Sequence, residues 1–139
     1  MFRLPIIVSV SPDGERLAIV GDTSQVFLYN ITRSGEYERT QTLNTSKDAG
    51  FSVAWDQSST KFAVGCQDGV VCVWDIRRTK KLAQLPSQQS GGRGAVRSVK
   101  FSHTGSIDLL AFTEVLPLIP ALLTVLAYLV PECGRCTDF

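Results

Sequence analysis

The chain has 139 residues, of which 44% are hydrophobic and 19% are charged, and its formal net charge is +1. This length and composition are ordinary for a globular domain with a sizeable core, and they exclude an intrinsically disordered chain. A net charge this close to zero also excludes a global electrostatic field that would draw the protein to nucleic acid or to a membrane.

The first unit of the chain is predicted to form a four-stranded antiparallel sheet. Ser11-Pro12-Asp13-Gly14 has the chemistry of a turn, because proline presets φ at about −65° and glycine adopts the left-handed conformation. Asp22-Thr23-Ser24 and Ser34-Gly35 mark two further turns. The runs with the residue pattern of β-strands are 6–10, 16–20, 25–29 and 37–43.

The second unit contains the clearest local signal in the chain, the sequence KFAVGCQDGVVCVWD from Lys61 to Asp75. Its two apolar runs flank Gln67-Asp68-Gly69, where Asp and Gly tolerate the positive φ of a tight hairpin turn. Strands at 51–55 and 81–85 complete a second four-stranded unit.

The same pattern occurs 45 residues earlier, at 17–30. Tyr29 takes the place of Trp74 there, and Asn30 takes the place of Asp75. A fixed period of this size predicts a propeller or another array of repeated sheets.

A third unit begins with the alternating run 95–101 and continues with 109–112, but the repeat pattern ends after Glu114. We therefore expect three blades at about 1–43, 44–85 and 86–114, followed by an apolar tail at 115–139. Pro120 suits the first turn of a short helix over 121–130, and Pro131 would stop it. The predicted fold is all-β, an incomplete propeller of two to three four-stranded antiparallel blades with a short apolar C-terminal helix or tail.

The units resemble WD repeats, and Trp74-Asp75 is the pair that gives that family its name. The resemblance implies a β-propeller scaffold in which Trp, a Ser or Thr, a turn Asp and the His of a Gly-His pair are hydrogen-bonded. Cys66 stands in the Ser-like place, and no Gly-His precedes Phe51 or Val96. Apolar packing should therefore dominate the stability of the first blade. The structural motif residues are Asp22, Tyr29, Asp68, Gly69, Trp74 and Asp75.

Asp108-Leu109-Leu110 is similar to a signature of a short domain of unknown function that follows WD repeats in uncharacterised fungal proteins. Closed propellers have about 4 to 8 blades, more than these units supply. Three explanations are open: a fragment of a longer propeller, an assembly of several chains, or a tail created by an aberrant splice or reading frame. The abrupt loss of repeat features at Glu114 favours the third.

The resemblance implies a non-catalytic scaffold that binds protein partners through the loops at the blade ends. The sequence has one histidine, no phosphate-binding glycine loop and no nucleophile motif, so we expect no enzyme activity, no cofactor, no metal and no small-molecule substrate. The loop residues predicted to contact a partner are Thr23, Ser24, Lys47, Asp48, Gln67, Gln89 and Arg93.

Two alternative functions follow from composition. Residues 115–130 could anchor the chain to a membrane, although sixteen residues with two prolines are short for a spanning helix, which needs about 20. The stretch 77–100 is rich in Lys and Arg and could bind nucleic acid or an anionic surface.

The cysteines favour a reducing compartment, and so a cytoplasmic or nuclear location, because Cys66 and Cys72 lie in predicted strands and not in a disulfide framework. The Cys133 to Cys136 CxxC motif is weak evidence for metal or redox chemistry.

Overall fold

The computed structural model describes residues 6–86, 94–103, 109–115 and 123–130. Within these ranges the chain forms eleven β-strands and no helix. The strands form three antiparallel sheets, which confirms the predicted all-β class and the incomplete propeller.

Each sheet is a meander whose strands follow chain order. Sheet one contains β1 (Ile7–Val10), β2 (Arg16–Gly21), β3 (Thr23–Ile31) and β4 (Tyr37–Asn44). Sheet two contains β5 (Gly50–Trp55), β6 (Lys61–Cys66), β7 (Val71–Asp75) and β8 (Lys81–Leu85). Sheet three contains β9 (Val96–Phe101), β10 (Leu109–Val115) and β11 (Leu123–Leu129). Strands β1, β5 and β9 contact each other in succession, as expected when blades surround a common axis.

One polar side chain closes the first turn of every sheet. The side-chain oxygens of Ser11, Asp56 and Ser102 accept the backbone N–H of the first residue of β2, β6 and β10, at 3.0, 2.8 and 3.1 Å. The backbone N–H of each of these three residues donates to the carbonyl of the same strand residue, at 2.9, 2.9 and 2.8 Å. Because Ser and Asp satisfy backbone donors in turns, this position is a recurring cap of the repeat.

Sheet two is the centre of the core, since every residue of β6 and β7 is buried. One face of sheet two packs on Ala18, Val20 and Leu28 of sheet one. The opposite face packs on Phe101 and Phe112 of sheet three. Both faces of the two central strands, β6 and β7, are therefore removed from water, and each large apolar side chain so buried stabilises the fold by about 1.5–3 kcal/mol.

An aromatic ladder crosses the face of sheet two that packs on sheet one. The rings of Trp55 and Phe62 have centroids 5.1 Å apart at an interplanar angle of 45°. Phe62 stacks on Trp74, also at 5.1 Å, with an angle of 13°. Strand register places these three residues opposite one another on β5, β6 and β7, so apolar packing links three strands of one sheet.

A hydrogen bond and a close backbone contact hold neighbouring sheets together at their interfaces, which are here called joints. Trp55 donates its indole Nε1–H to the carbonyl of Ser9 at 3.0 Å, which joins sheet two to sheet one. Gly65 faces sheet three so closely that a Cβ atom there would lie 2.4 Å from Cγ1 of Val96 and 2.6 Å from Oγ of Ser52. This joint therefore requires a residue without a side chain.

The helix predicted over 121–130 is wrong, because residues 123–129 form β11. This strand pairs with β10 from Leu109↔Leu129 to Val115↔Leu123. β10 would otherwise present an open row of N–H and C=O groups, and Thr, Val and Tyr favour an extended strand. A short apolar run does not distinguish a strand from a helix by its pattern alone.

We expect Gly65→Ala to destabilise the protein by about 1–3 kcal/mol, because the added methyl group overpacks the joint between sheets two and three. Chemical denaturation monitored by tryptophan fluorescence gives the free energy of unfolding. Val96→Ala removes the Cγ1 methyl group, the nearest of the clashing atoms, but leaves Cβ of residue 96 and Oγ of Ser52 in place. The double variant should therefore lose less stability than the sum of the two single changes. Strict additivity would contradict a direct clash.

Candidate functional site

Three connecting segments converge at one end of the stacked sheets. Because neighbouring strands are antiparallel, β2, β4 and β6 all finish at the same end. The residues that follow them, 22–24, 45–49 and 67–70, are here called the loop end. The turns at 11–15, 32–36, 56–60 and 76–80 form the opposite end.

Backbone hydrogen bonds join these three segments into one continuous surface. The N–H of Thr45 donates to the carbonyl of Ser24, and the N–H of Gln67 donates to the carbonyl of Ala49, both at 2.9 Å. The amine of Lys81 on β8 also donates to the carbonyl of Thr45. The loop between sheets one and two is therefore held from both sides, and the loop end is a fixed platform.

The structure brings five of the residues predicted to contact a partner together at this end. Thr23, Lys47 and Gln67 are exposed, whereas Ser24 and Asp48 are half-buried. Gln89 and Arg93 lie outside the described residues. The exposed side chains are polar or charged, and they project from a backbone that its own hydrogen bonds immobilise.

Acidic groups outnumber basic groups in the described part of the loop end. Asp22, Asp48 and Asp68 lie there with Lys47, and the amine of Lys81 reaches the same end through its hydrogen bond to Thr45. The carboxylate of Asp48 accepts the N–H of Ala49 at 2.8 Å, and that of Asp68 accepts the N–H of Val70 at 3.2 Å. These two carboxylates are thereby oriented by their own loops.

Two residues on the inner strands, Phe51 and Arg97, were not predicted as site residues. Phe51 lies at a register shift in β5 between Gly50 and Ser52, and Arg97 lies at an equivalent shift in β9. A bulge changes the direction of a side chain, and here the guanidinium of Arg97 lies 4.8 Å from the centroid of the Phe51 ring. The sequence repeat places both residues in strands, but it contains no signal for a bulge at either position.

The residues predicted to form the blade motif lie in different parts of the structure. Trp74 is buried in the aromatic ladder, and Gly69 has φ of +85°, which supports its tight turn. Asp68 lies in the same turn. In sheet one, Tyr29 is half-buried and Asp22 is exposed at the loop end.

Asp75 is fully buried at the other end of β7 and is paired with Arg77. Its carboxylate accepts hydrogen bonds from Nε of Arg77 at 2.9 Å and from Nη2 of Arg77 at 2.6 Å. The backbone N–H of Arg77 donates to the same carboxylate at 2.9 Å. The hydrogen bonds from the Arg77 side chain hold the pKa of Asp75 below its ordinary value, and the nearby charge of Lys61 acts in the same direction.

The structure divides the basic stretch 77–100 among several surfaces. Arg77 is engaged with Asp75 at the opposite end, whereas Lys81 is directed toward the loop end. Arg97 and Lys100 lie on β9, the first strand of sheet three. Arg77 and Lys81 therefore serve opposite ends of sheet two.

Cys66 and Cys72 are both buried, in β6 and β7 of sheet two. A hydrogen bond between the two thiols, together with burial, raises the pKa of Cys72 well above its ordinary value. Cys72 therefore stays protonated and packs as a small apolar side chain. Cys133 and Cys136 lie outside the described residues.

No helix in the described ranges has the length and hydropathy needed to cross a lipid bilayer. Within the segment 115–130 that the sequence suggested as an anchor, Val115 is the last residue of β10 and residues 123–129 form β11.

The sequence of residues 38–75 matches the family described as WD domain, G-beta repeat. Residues 38–75 therefore form a WD repeat. The matched segment begins within β4 and ends at the last residue of β7. One WD repeat therefore supplies the last strand of sheet one and the first three strands of sheet two.

Curated relatives extend the similarity beyond this single repeat. The uncharacterised protein C4G3.03 of Schizosaccharomyces pombe is 40% identical over 111 residues, which cover 76% of this chain and 32% of the relative. WD repeat-containing protein VIP3 of Arabidopsis thaliana is 41% identical over 58 residues, which cover 42% of this chain and 17% of the relative. This WD-repeat chain thus spans about a third of the length of the fission-yeast relative.

A solved propeller structure has the same arrangement of strands. Sqt1 of Chaetomium thermophilum, in its crystal structure bound to the N-terminus of the ribosomal protein L10, superposes with a TM-score of 0.63 at 20% sequence identity. The superposition covers 78% of this chain and 30% of Sqt1. At this identity the likeness establishes the fold of the WD-repeat chain and nothing about its partner.

We expect Arg77→Met to shift acid unfolding of the protein to higher pH. Because the pKa of folded Asp75 lies below its ordinary value of 3.8, its ionisation stabilises the fold above that pH. The contribution is lost as the pH falls through the lower folded pKa, and removing Arg77 raises that pKa. At neutral pH the variant should lose about 1 kcal/mol, since Arg77 is half exposed.

Circular dichroism during acid titration measures the unfolding midpoint. Lys80→Met removes a neighbouring exposed cation and serves as the matched control, for which we expect no shift. An unchanged midpoint in Arg77→Met would contradict the role assigned to the Asp75–Arg77 pair.

Proposed function

We propose that this WD-repeat chain is a non-catalytic interaction module that binds a protein partner through the loop end. The observation that carries the proposal is the hydrogen-bonded connection of the three segments at 22–24, 45–49 and 67–70. Recognition loops bind tightly when a rigid scaffold holds them in place before the partner arrives.

The electrostatic balance of the loop end favours a partner segment that carries Lys or Arg side chains. Asp22 is exposed to solvent, and Asp48 and Asp68 are half-exposed beside it. Charge complementarity of this kind accelerates association and selects among partners more than it adds affinity. Lys47 supplies one site for an acidic or carbonyl group within the same surface.

The recorded complex of Sqt1 supports a peptide segment as the form of the partner, because Sqt1 is bound to the N-terminus of a ribosomal protein. An extended segment exposes backbone groups and alternating side chains, and a fixed polar platform can pair with both. WD-repeat proteins generally act as protein-interaction scaffolds, which agrees with this role.

The double variant Asp22→Lys with Lys47→Glu tests this proposal without changing the net charge. Both side chains are exposed, so the fold should be retained while one acidic and one basic position of the loop end exchange their charges. We expect each specific partner to be recovered about tenfold less in affinity purification with quantitative mass spectrometry, equivalent to about 1.4 kcal/mol.

The matched control is Glu15→Lys with Arg33→Glu, which makes the same exchange at exposed positions of the opposite end. This control should recover the same partners as the unmodified chain. Loss of partners in the control but not in the loop-end variant would overturn the proposal. Thermal unfolding of both variants verifies that they remain folded.

A further inference from the structure

Phe51 and Arg97 form a pair at the inner margin of the loop end, where the first strands of sheets two and three meet. Each is the second residue of its strand, and β5 begins directly after the loop-end segment 45–49. The adjacent residues join the two strands, because the hydroxyl of Ser52 donates to the carbonyl of Val96 at 3.4 Å. The pair is therefore built from β5 and β9 alone and needs no further blade.

The bulges in β5 and β9 make both side chains accessible. The register of each strand skips the bulged residue, so neither Phe51 nor Arg97 has a partner residue on the next strand of its sheet. A bulge redirects the side chain that it carries. Phe51 is half-buried and Arg97 is exposed, so a group that approaches the loop end can reach the guanidinium.

The guanidinium of Arg97 is held in place without using its hydrogen-bond donors. Its centre lies 4.8 Å from the centroid of the Phe51 ring, and a cation–π contact engages the charge but none of the N–H groups. Within the described part of the chain, no carboxylate pairs with Arg97. Arg77 is different, because it donates to the buried carboxylate of Asp75. Arg97 has the same donors and presents them to solvent.

We propose that Arg97, held by Phe51, binds the carboxylate of an aspartate or glutamate in the partner segment. The inference rests on the proposed function, which places that segment on the loop end. A guanidinium matches a carboxylate in geometry, because two parallel N–H groups reach its two oxygens. The segment therefore carries an acidic residue for Arg97, as well as Lys or Arg for the acidic side chains of the connecting loops. Two contacts of opposite sign fix the direction in which the segment lies.

Selection of random linear peptides displayed on phage, with the 139-residue chain as the target, tests this chemistry without a known partner. We expect the selected peptides to combine Asp or Glu with Lys or Arg at a fixed spacing. Fluorescence anisotropy of one selected peptide then measures the effect of each variant. Arg97→Gln should weaken binding about tenfold, because a charge-assisted pair is lost.

Charge reversal separates a direct contact from a structural role of Arg97. Arg97→Glu should bind more tightly to a peptide whose acidic residue is replaced by Lys than to the original peptide, which a merely structural role would not produce. Phe51→Leu keeps apolar bulk but removes the ring face, so it should weaken the original peptide and leave the Lys peptide unaffected. Circular dichroism verifies that each variant is folded.

The matched control is Arg39→Gln. Arg39 is also an exposed arginine beside a phenylalanine ring, 5.7 Å from the centroid of Phe27, but it lies near the start of β4, away from the loop end. Peptide affinity should be unchanged in this variant. An equal loss in Arg39→Gln and Arg97→Gln would contradict a specific site at Arg97.

The loop-end variant Asp22→Lys with Lys47→Glu separates this inference from the proposed function. Peptides that lose affinity for that variant but not for Arg97→Gln would overturn the inference and retain the proposed function. Peptides whose affinity neither variant changes, or a selection that enriches none, would overturn both. Tighter binding of a synthetic peptide with phosphoserine in place of the acidic residue would overturn the assignment to a carboxylate.

Discussion

The burial of both faces of sheet two is the constraint on which the rest of the structure depends. β6 and β7 have no residue that faces water, so neither hairpin nor sheet can be stable before sheets one and three pack on it. Repeat proteins gain stability from such joints between neighbours more than from any single unit. The sequence repeats with a period of 45 residues because each interface between sheets needs the same classes of side chain.

The size difference between the two faces of a sheet gives the array a direction. Trp55, Phe62 and Trp74 form the large face of sheet two, and Ala63 and Gly65 lie on its small face. A large face packs densely only against a small one, because two large faces would be held apart and two small faces would leave voids. At Gly65 the small face lies so close to sheet three that even a methyl group has no space.

The sequence predicted the strands of sheets one and two, their turns and the repeated hairpin, because these features depend on local chemistry. The sequence-based prediction was wrong at β11, because an apolar run bounded by prolines resembled a helix. The conformation of this run instead depends on pairing with the open edge of β10, which is distant in the sequence. It also missed the contact of Arg97 with Phe51, since a bulge depends on the register between strands. Asp75 was predicted as a motif residue, but its pairing with Arg77 depends on the turn that follows β7.

The buried residues of the strands and the exposed residues of the loops are under different constraints. Packing between faces constrains apolar positions inside the strands, whereas the side chains of Thr23, Lys47 and Gln67 contact solvent and can change without affecting a joint. The backbone bonds that immobilise these loops use N–H and C=O groups, which every substitution except proline retains. A WD-repeat chain can therefore vary the exposed side chains of one platform while the buried side chains preserve the fold.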